Sequence, residues 1–189
     1  MSLRDITTAA AVNLAAVNYH FGSKELLVRE LFKLRSIELN RERARLLHDA
    51  ETAGPGAPQL EQVLYALIAP PVRGWLSSDP ARSCTARFLV RAIVEATPEV
   101  RRLIETEVGH LQRFVVSLAR AMPQLSHAEI CLRLHFTLGV MHYAINDRKR
   151  LEMLSLGACD YSDPEGVIGW IVGFAAAGFA ASGAIADRG

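Results

Sequence analysis

A short segment near the start of the chain, residues 14–18, carries side chains suited to contact with the edges of DNA bases. Asn18 can form two hydrogen bonds with an adenine edge, and small apolar groups such as Ala15 and Ala16 can pack on thymine methyl groups. Tyr19 and His20 follow at the end of the segment, and Lys24 stands at the start of the next one. A lysine together with the free amides of a helix N-terminus binds anions, so phosphate contacts belong there.

Two short helices would have to position these side chains. Ser2 is a good N-cap for a helix over residues 3–10, and Asn13 can cap a second helix over 14–21. Gly22 suits a left-handed C-terminal position. The lengths and the short connection are typical of a helix-turn-helix, in which the second helix enters the major groove. By spacing alone, two short helices that merely cap a bundle explain the pattern equally well.

The same residues carry a resemblance to a known family. Ser2-Leu3-Arg4-Asp5-Ile6 and the run from Val12 to Leu27 resemble the DNA-binding domain of TetR-family transcriptional regulators, most specifically in Tyr19-His20-Phe21-x-Ser23-Lys24-Glu25. The resemblance implies an all-α dimer with an N-terminal DNA-binding domain and a variable ligand-sensing bundle, whose ligand usually relieves repression. Arg133-Leu134-His135-Phe136-Thr137-Leu138-Gly139 further resembles a subgroup related to fatty-acid-responsive regulators.

The resemblance also implies roles for individual positions. By motif position, bases would be read by Asn13, Leu14, Ala15, Ala16 and Asn18, and phosphates would be held by Tyr19, His20 and Lys24. Val17 and Phe21, four residues apart, would face the small core of this domain.

Two departures from the family pattern affect these expectations. Ala11 stands at the turn where members usually have glycine, and a left-handed backbone there would cost alanine about 1 kcal/mol. The family's first helix, which covers an inner face made of Leu3, Ile6, Val17, Phe21 and Leu27, does not precede Ser2. We therefore expect either a misassigned or truncated start or a chain that binds DNA poorly.

Composition narrows the class of protein. The chain has 189 residues, half of them apolar, with a net charge of +1, which excludes a disordered chain. The near-zero charge argues against a nonspecific polyanion binder but leaves room for DNA binding through a small local patch. Alanine is the commonest residue, at 27, and favours helix. Cys84, Cys131 and Cys159 have no CxxC spacing, and no signal peptide is apparent, so we expect reduced thiols in a cytoplasmic protein.

Start and stop signals divide the rest of the chain into further helices. After the breaker at residues 54–58, we expect helices over 59–69 (kinked or ended by Pro70-Pro71), 81–96, 98–121, 126–146 with a possible extension to Leu154, and 163–182. The prediction is an all-α protein, with a helix-turn-helix DNA-binding domain over residues 1–40 and a helical effector-binding and dimerisation domain over 41–189.

The bundle shows no pattern of a catalytic site, and we expect neither an enzyme nor a cofactor. Cys131, His135 and His142 share a helical face, but a mixed dimer or pocket face explains them better than a metal site. A ligand cavity between helices is more plausible. The candidate lining residues are Trp75, Phe88, Arg91, Phe114, Phe136 and Met153, with Arg91 able to meet a carboxylate or phosphate.

The stretch from Val167 to Ala186 carries no charge and has the length of a membrane span. More than half of it is glycine or alanine, which favours close helix packing over insertion. We therefore expect a homodimer interface with residues 126–146 as the partner helix, and no membrane.

Together these features predict a cytoplasmic, homodimeric, ligand-responsive regulator, most simply a repressor released from a palindromic operator by a small apolar or amphipathic effector. The alternative is an all-helical small-molecule-binding protein that does not bind DNA because its DNA-binding domain is incomplete.

Overall fold

A computed structural model describes residues 2–106 and 108–182, and every regular element in these ranges is an α-helix. The all-α prediction is confirmed. The helices are α1 (Leu3–Ala9), α2 (Leu14–Phe21), α3 (Lys24–Thr52), α4 (Leu60–Trp75), α5 (Pro80–Val94), α6 (Pro98–Thr106), α7 (Gly109–Ala121), α8 (His127–Asn146), α9 (Arg148–Leu154) and α10 (Pro164–Ala180).

The N-terminal helices begin at the residues that the sequence indicates. Ser2 and Asp5 form a capping box, in which Asp5 N donates to Ser2 Oγ (3.2 Å) and Ser2 N donates to Asp5 Oδ2 (2.6 Å). These hydrogen bonds hold the pKa of Asp5 below its usual value. Asn13 caps α2 and Ser23 caps α3. In each helix the cap's side-chain oxygen accepts a hydrogen bond from a first-turn backbone amide that has no partner within the helix.

Ala11 joins α1 to α2 in the left-handed region, with φ 53°. Its amide donates to Thr8 O (3.2 Å), and the amide of Val12 donates to Thr7 O (3.0 Å). This pair of bonds is the Schellman arrangement, in which the left-handed position is usually glycine. The turn between α1 and α2 is therefore built on an alanine.

The long helix α3 leads from this N-terminal unit into the bundle. It begins after Ser23 and continues to Thr52. The helix thus crosses the expected domain boundary between residues 40 and 41 without interruption. The two expected domains would therefore share this helix.

The central helix of the bundle is α4, which packs against α3, α5, α7, α8 and α10. Val63, Leu64 and Ile68 are fully buried on it, and burial of each such side chain contributes about 1.5–3 kcal/mol. The helix does not end at Pro70-Pro71 but continues to Trp75. Near its end, Arg73 Nε donates to Glu165 Oε1 (2.5 Å) and joins α4 to the start of α10.

Two other expected helices differ from the structure. The helix expected over residues 98–121 corresponds to two described helices, α6 ending at Thr106 and α7 beginning at Gly109. The extension of the 126–146 helix is a separate element, α9, which begins where Asp147 Oδ1 accepts from Arg150 N (3.3 Å).

The last helix, α10, ends at Ala180, two residues before the expected end. Arg133 of α8 donates to the carbonyls of Phe179 (2.5 Å) and Ala181 (2.9 Å), and so satisfies acceptors that the helix end leaves open. This contact fixes α10 against α8. Residues 183–186, the end of the uncharged stretch, lie outside the described residues.

Candidate DNA-contact and ligand sites

The helix α2 is held at the surface by a few contacts. It packs against α1 and α3, where Thr7 and Leu27 are buried. Val17 and Phe21 face inward and are partly buried, in keeping with their i,i+4 spacing. Leu3 and Ile6 of the expected inner face are partly buried as well.

The outer face of α2 is open. Ala15, Ala16 and Asn18 are exposed, while Leu14 is partly buried. Asn13 is exposed too, but its Oδ1 accepts a hydrogen bond from Ala15 N (2.8 Å). Its side-chain oxygen therefore serves as the helix cap.

The three candidate phosphate contacts lie together at the end of α2 and the start of α3. Tyr19 is 87% exposed, and the edge of its ring meets His20 with 5.3 Å between ring centroids. Lys24 is the exposed first residue of α3, directly after the cap Ser23. An exposed lysine at a positive helix end suits a phosphate.

The bundle contains a cavity of about 340 Å³ between α3, α4, α5 and α8. Its apolar lining comes mainly from Pro70 and Pro71 of α4 and from Leu89, Val90 and Ile93 of α5. The size lies at the lower end of the range for small-molecule sites in proteins.

Arg43 is the most unusual residue of the cavity wall, because it is only 7% exposed. Its Nε donates to Leu67 O (3.0 Å). The carbonyl of Leu67 would ordinarily accept from the amide four residues later, which is Pro71 and has no N–H. Arg43 therefore supplies the donor that Pro71 lacks.

The electrostatics of this wall are set by burial. Burial lowers the pKa of Arg43 to about 10, and it still carries its charge at neutral pH. His142 of α8 lines the same cavity, and its pKa is lowered first by burial and then by the positive charge of Arg43. Neutral His142 beside cationic Arg43 is therefore the ordinary state.

The six residues expected to line a ligand site lie elsewhere. Phe114 is buried in the main core, Trp75 packs at the edge of that core, and Phe88 packs in a smaller cluster around Phe32 of α3. Arg91 is exposed and pairs with Glu95 (3.1 Å). Phe136 and Met153 are exposed on α8 and α9. None of the six lines the cavity in the described part of the chain.

Sequence reasoning missed Arg43, although a signal was present. Ser36, Arg43, Leu47 and Ala50 recur at helical spacing, and all four are buried on one face of α3. A charged residue on a buried stripe indicates a specific partner, and the proline pair leaves a carbonyl without its usual donor.

The helices α8 and α10 expose an apolar face. Leu132, Phe136 and Tyr143 repeat along α8, and Trp170 (83% exposed) and Phe174 (67%) stand on α10. Gly169 and Gly173 are exposed beside them. Large apolar side chains mixed with glycines on neighbouring helices are typical of a protein–protein contact.

Two other expectations of the sequence concern metals and membranes. Cys131 lies 3.6 Å from His127 Nε2, His135 is exposed and His142 faces the cavity. Among residues 2–106 and 108–182 there is no group of three or more His, Cys, Asp or Glu side chains that could hold a metal ion. No helix in these ranges is long and apolar enough to cross a bilayer.

Comparison with known proteins gives one family. A family model described as "Tetracyclin repressor-like, C-terminal domain" matches residues 65–178, from the middle of α4 to near the end of α10. A search of curated proteins finds no significant match. The matched domain indicates a regulator of transcription rather than an enzyme.

Proposed function

The chain belongs to the TetR family of regulators, and on that premise we propose that it is a homodimeric repressor that releases a palindromic operator when a small apolar or amphipathic effector binds. Residues 1–40 would bind DNA in the cytoplasm, and residues 41–189 would bind the effector and form the dimer. The observation that carries this proposal is the open face of α2, where Ala15, Ala16 and Asn18 are exposed.

The arrangement of α2 supports the proposed base and phosphate contacts. Helix side chains that are not needed for packing are free to enter a major groove, and Asn18 has the chemistry to recognise adenine. Tyr19, His20 and Lys24 lie at the end of that face, where the backbone of the duplex would pass. Leu14 and Asn13 are proposed to contact bases from the N-terminal end of α2.

The exposed face of α8 and α10 supports the proposed dimer. Residues such as Phe136, Trp170 and Phe174 would lose their contact with water if the same face of a second chain covered them. Arg133 holds α10 on α8, so that the four helices from two chains could pack as one bundle.

The cavity beneath α5 supports the proposed effector site. It touches α3, and α3 is the helix that begins at Lys24. A ligand that changes the position of α3 would therefore change the separation of the two DNA-binding units.

The direct test is DNA binding by the purified protein, measured by fluorescence anisotropy on duplexes selected from a random pool. Lys24→Ala should weaken binding to all duplexes and reduce the salt dependence by about one counterion, because a phosphate contact is lost. Asn18→Ala should instead change the preferred sequence. Lys149→Ala, which removes the same charge from α9, serves as the control and should change neither.

Unchanged operator affinity in both variants would show that the assignment of α2 is wrong. Failure to select any duplex, in a protein that still binds a small molecule, would instead support the alternative of a ligand-binding protein without DNA binding.

A further inference from the structure

Arg43 is a largely buried cation that uses only part of its hydrogen-bonding capacity on the protein. A guanidinium has five N–H donors, and Arg43 uses one of its nitrogens, Nε, for Leu67 O (3.0 Å). In the described part of the chain, neither Nη1 nor Nη2 has a hydrogen-bonding or ion-pair partner. In the described residues the only buried polar side-chain atom without a partner is Asn40 Oδ1, so Nη1 and Nη2 of Arg43 are accessible from the cavity that Arg43 lines. Guanidinium donors that open into a cavity favour an anion there.

The other charges around the cavity do not neutralise Arg43. Arg35 and Glu38 also line it, but they pair with each other at 2.9 Å. Glu42 lies on the same wall without an ion pair to Arg43, and its charge acts on Arg73. Arg82 adds an exposed positive charge from α5.

The remainder of the lining is apolar. Pro70, Pro71, Leu89 and Val90 are positioned to contact a hydrocarbon body, while Ile93 is more exposed. The buried cation of Arg43 and the apolar wall together are complementary to an amphipathic acid, which has an anionic end and an apolar body. The volume of about 340 Å³ suits a small molecule of this kind.

We propose that the cavity binds a small carboxylic acid with an apolar body, whose carboxylate accepts hydrogen bonds from Nη1 and Nη2 of Arg43. This inference rests on the proposed function for the existence of an effector site, and it adds the chemical class of the effector. A carboxylate matches the planar fork of a guanidinium, which can donate two parallel hydrogen bonds.

The same pairing suggests how the ligand would act on α3. Arg43 bonds at one nitrogen to the carbonyl of α4 that Pro71 leaves free. A carboxylate at its other nitrogens would draw the guanidinium toward the cavity, and with it the middle of the helix that starts at Lys24. The effector and the DNA-contact residues would thus share one rigid element.

The test compares three probes of equal chain length, octanoate, 1-octanol and octylammonium, by isothermal titration calorimetry on the full chain without DNA. Octanoate should bind at least about tenfold more tightly than 1-octanol, since hydrogen bonds to a charged group exceed neutral ones by this margin. Octylammonium should bind most weakly, because its charge repels Arg43.

Two neutral variants test the role of Arg43. Arg43→Met and Arg43→Gln should each reduce the preference for octanoate over 1-octanol to less than about twofold. Gln retains an amide that can donate to Leu67 O, so it carries the test if the methionine variant does not fold by circular dichroism. Arg45→Met removes a charge from the exposed side of α3 and should leave the preference intact.

Equal binding of octanoate and 1-octanol by the wild-type chain, no binding of octanoate, or a preference that persists in the neutral variants would overturn the inference. These results are independent of the regulator function. A chain that binds octanoate through Arg43 but no operator would retain this inference and lose the proposed function. A chain that binds an operator and is released equally by octanoate and 1-octanol would retain the proposed function and lose this inference.

Discussion

Replacement of Ala11 by glycine should stabilise the turn between α1 and α2. Ala11 has φ 53°, and the left-handed region costs a residue with a Cβ about 1–2 kcal/mol relative to the right-handed one. Glycine removes this cost but adds freedom to the unfolded chain worth about 0.4–1 kcal/mol. The side chain of Ala11 is exposed, so little packing is lost. The midpoints of the two ranges leave a net gain of about 0.8 kcal/mol for Ala11→Gly.

Hydrogen exchange is the suitable measurement, because both tryptophans lie outside this region, at positions 75 and 170. The amide of Val12 donates to Thr7 O (3.0 Å) across the turn and reports its opening. A gain of about 0.8 kcal/mol corresponds to about fourfold slower exchange.

Ala10→Gly provides a matched control, since Ala10 is the adjacent exposed alanine with φ −84°. Glycine there relieves no strain, and the variant should exchange faster. Equal effects of the two substitutions, or faster exchange in Ala11→Gly, would refute the argument that the turn is strained by its Cβ.

Further predictions concern the bundle. Trp170→Glu should weaken dimerisation at least about 30-fold in sedimentation equilibrium, as expected for a central tryptophan, whereas Val116→Glu on the exposed face of α7 should not. Burial and a nearby positive charge hold the pKa of His142 below 6.5, so the unfolded chain takes up a proton first and the free energy of unfolding should fall as pH drops below about 6.5. In urea denaturation, the free energy of unfolding of His142→Gln should lack this part of the pH dependence. Arg133→Met should cost about 1–3 kcal/mol in the same assay, because it frees carbonyls at the end of α10, while the same change at exposed Arg91 should have little effect.

Local signals predicted the helix starts well because each depends on neighbouring residues alone. Ser2 and Asn13 cap the helices expected of them, and the helices expected to start at residues 126 and 163 do so, with Ser126 and Asp163 as their caps. The left-handed backbone at Ala11 was expected from the family resemblance, because members usually have glycine at that turn. These features require no knowledge of what packs against them.

The course of α4 includes a contact with a distant residue. Pro70-Pro71 predicts a kink or an end, yet the helix continues to Trp75, and Arg43, on another helix, donates to the carbonyl that Pro71 leaves free. No local pattern contains that contact.

The expected ligand residues were selected by type, as large or aromatic side chains between helices. Phe114 was instead needed to fill the core, and Phe136 faces outward. The cavity lies where small residues such as Gly74 and Ala86, together with Pro71, leave space. The volume of a cavity depends on which side chains are absent from it, and that information is tertiary.

The length of α3 gives the structure a mechanical property. Nineteen residues separate Lys24 from Arg43, a distance of about 28 Å at the helical rise of about 1.5 Å per residue. A tilt of about 5° around Arg43 would therefore carry Lys24 through about 2.5 Å, and two such arms would change their spacing by up to about 5 Å. The half-site repeat of a duplex is about 34 Å, so two units whose spacing has changed by about 5 Å would no longer fit both half-sites at once. The long helix would thus convert a displacement near Arg43 that is smaller than one side chain into a loss of fit to DNA.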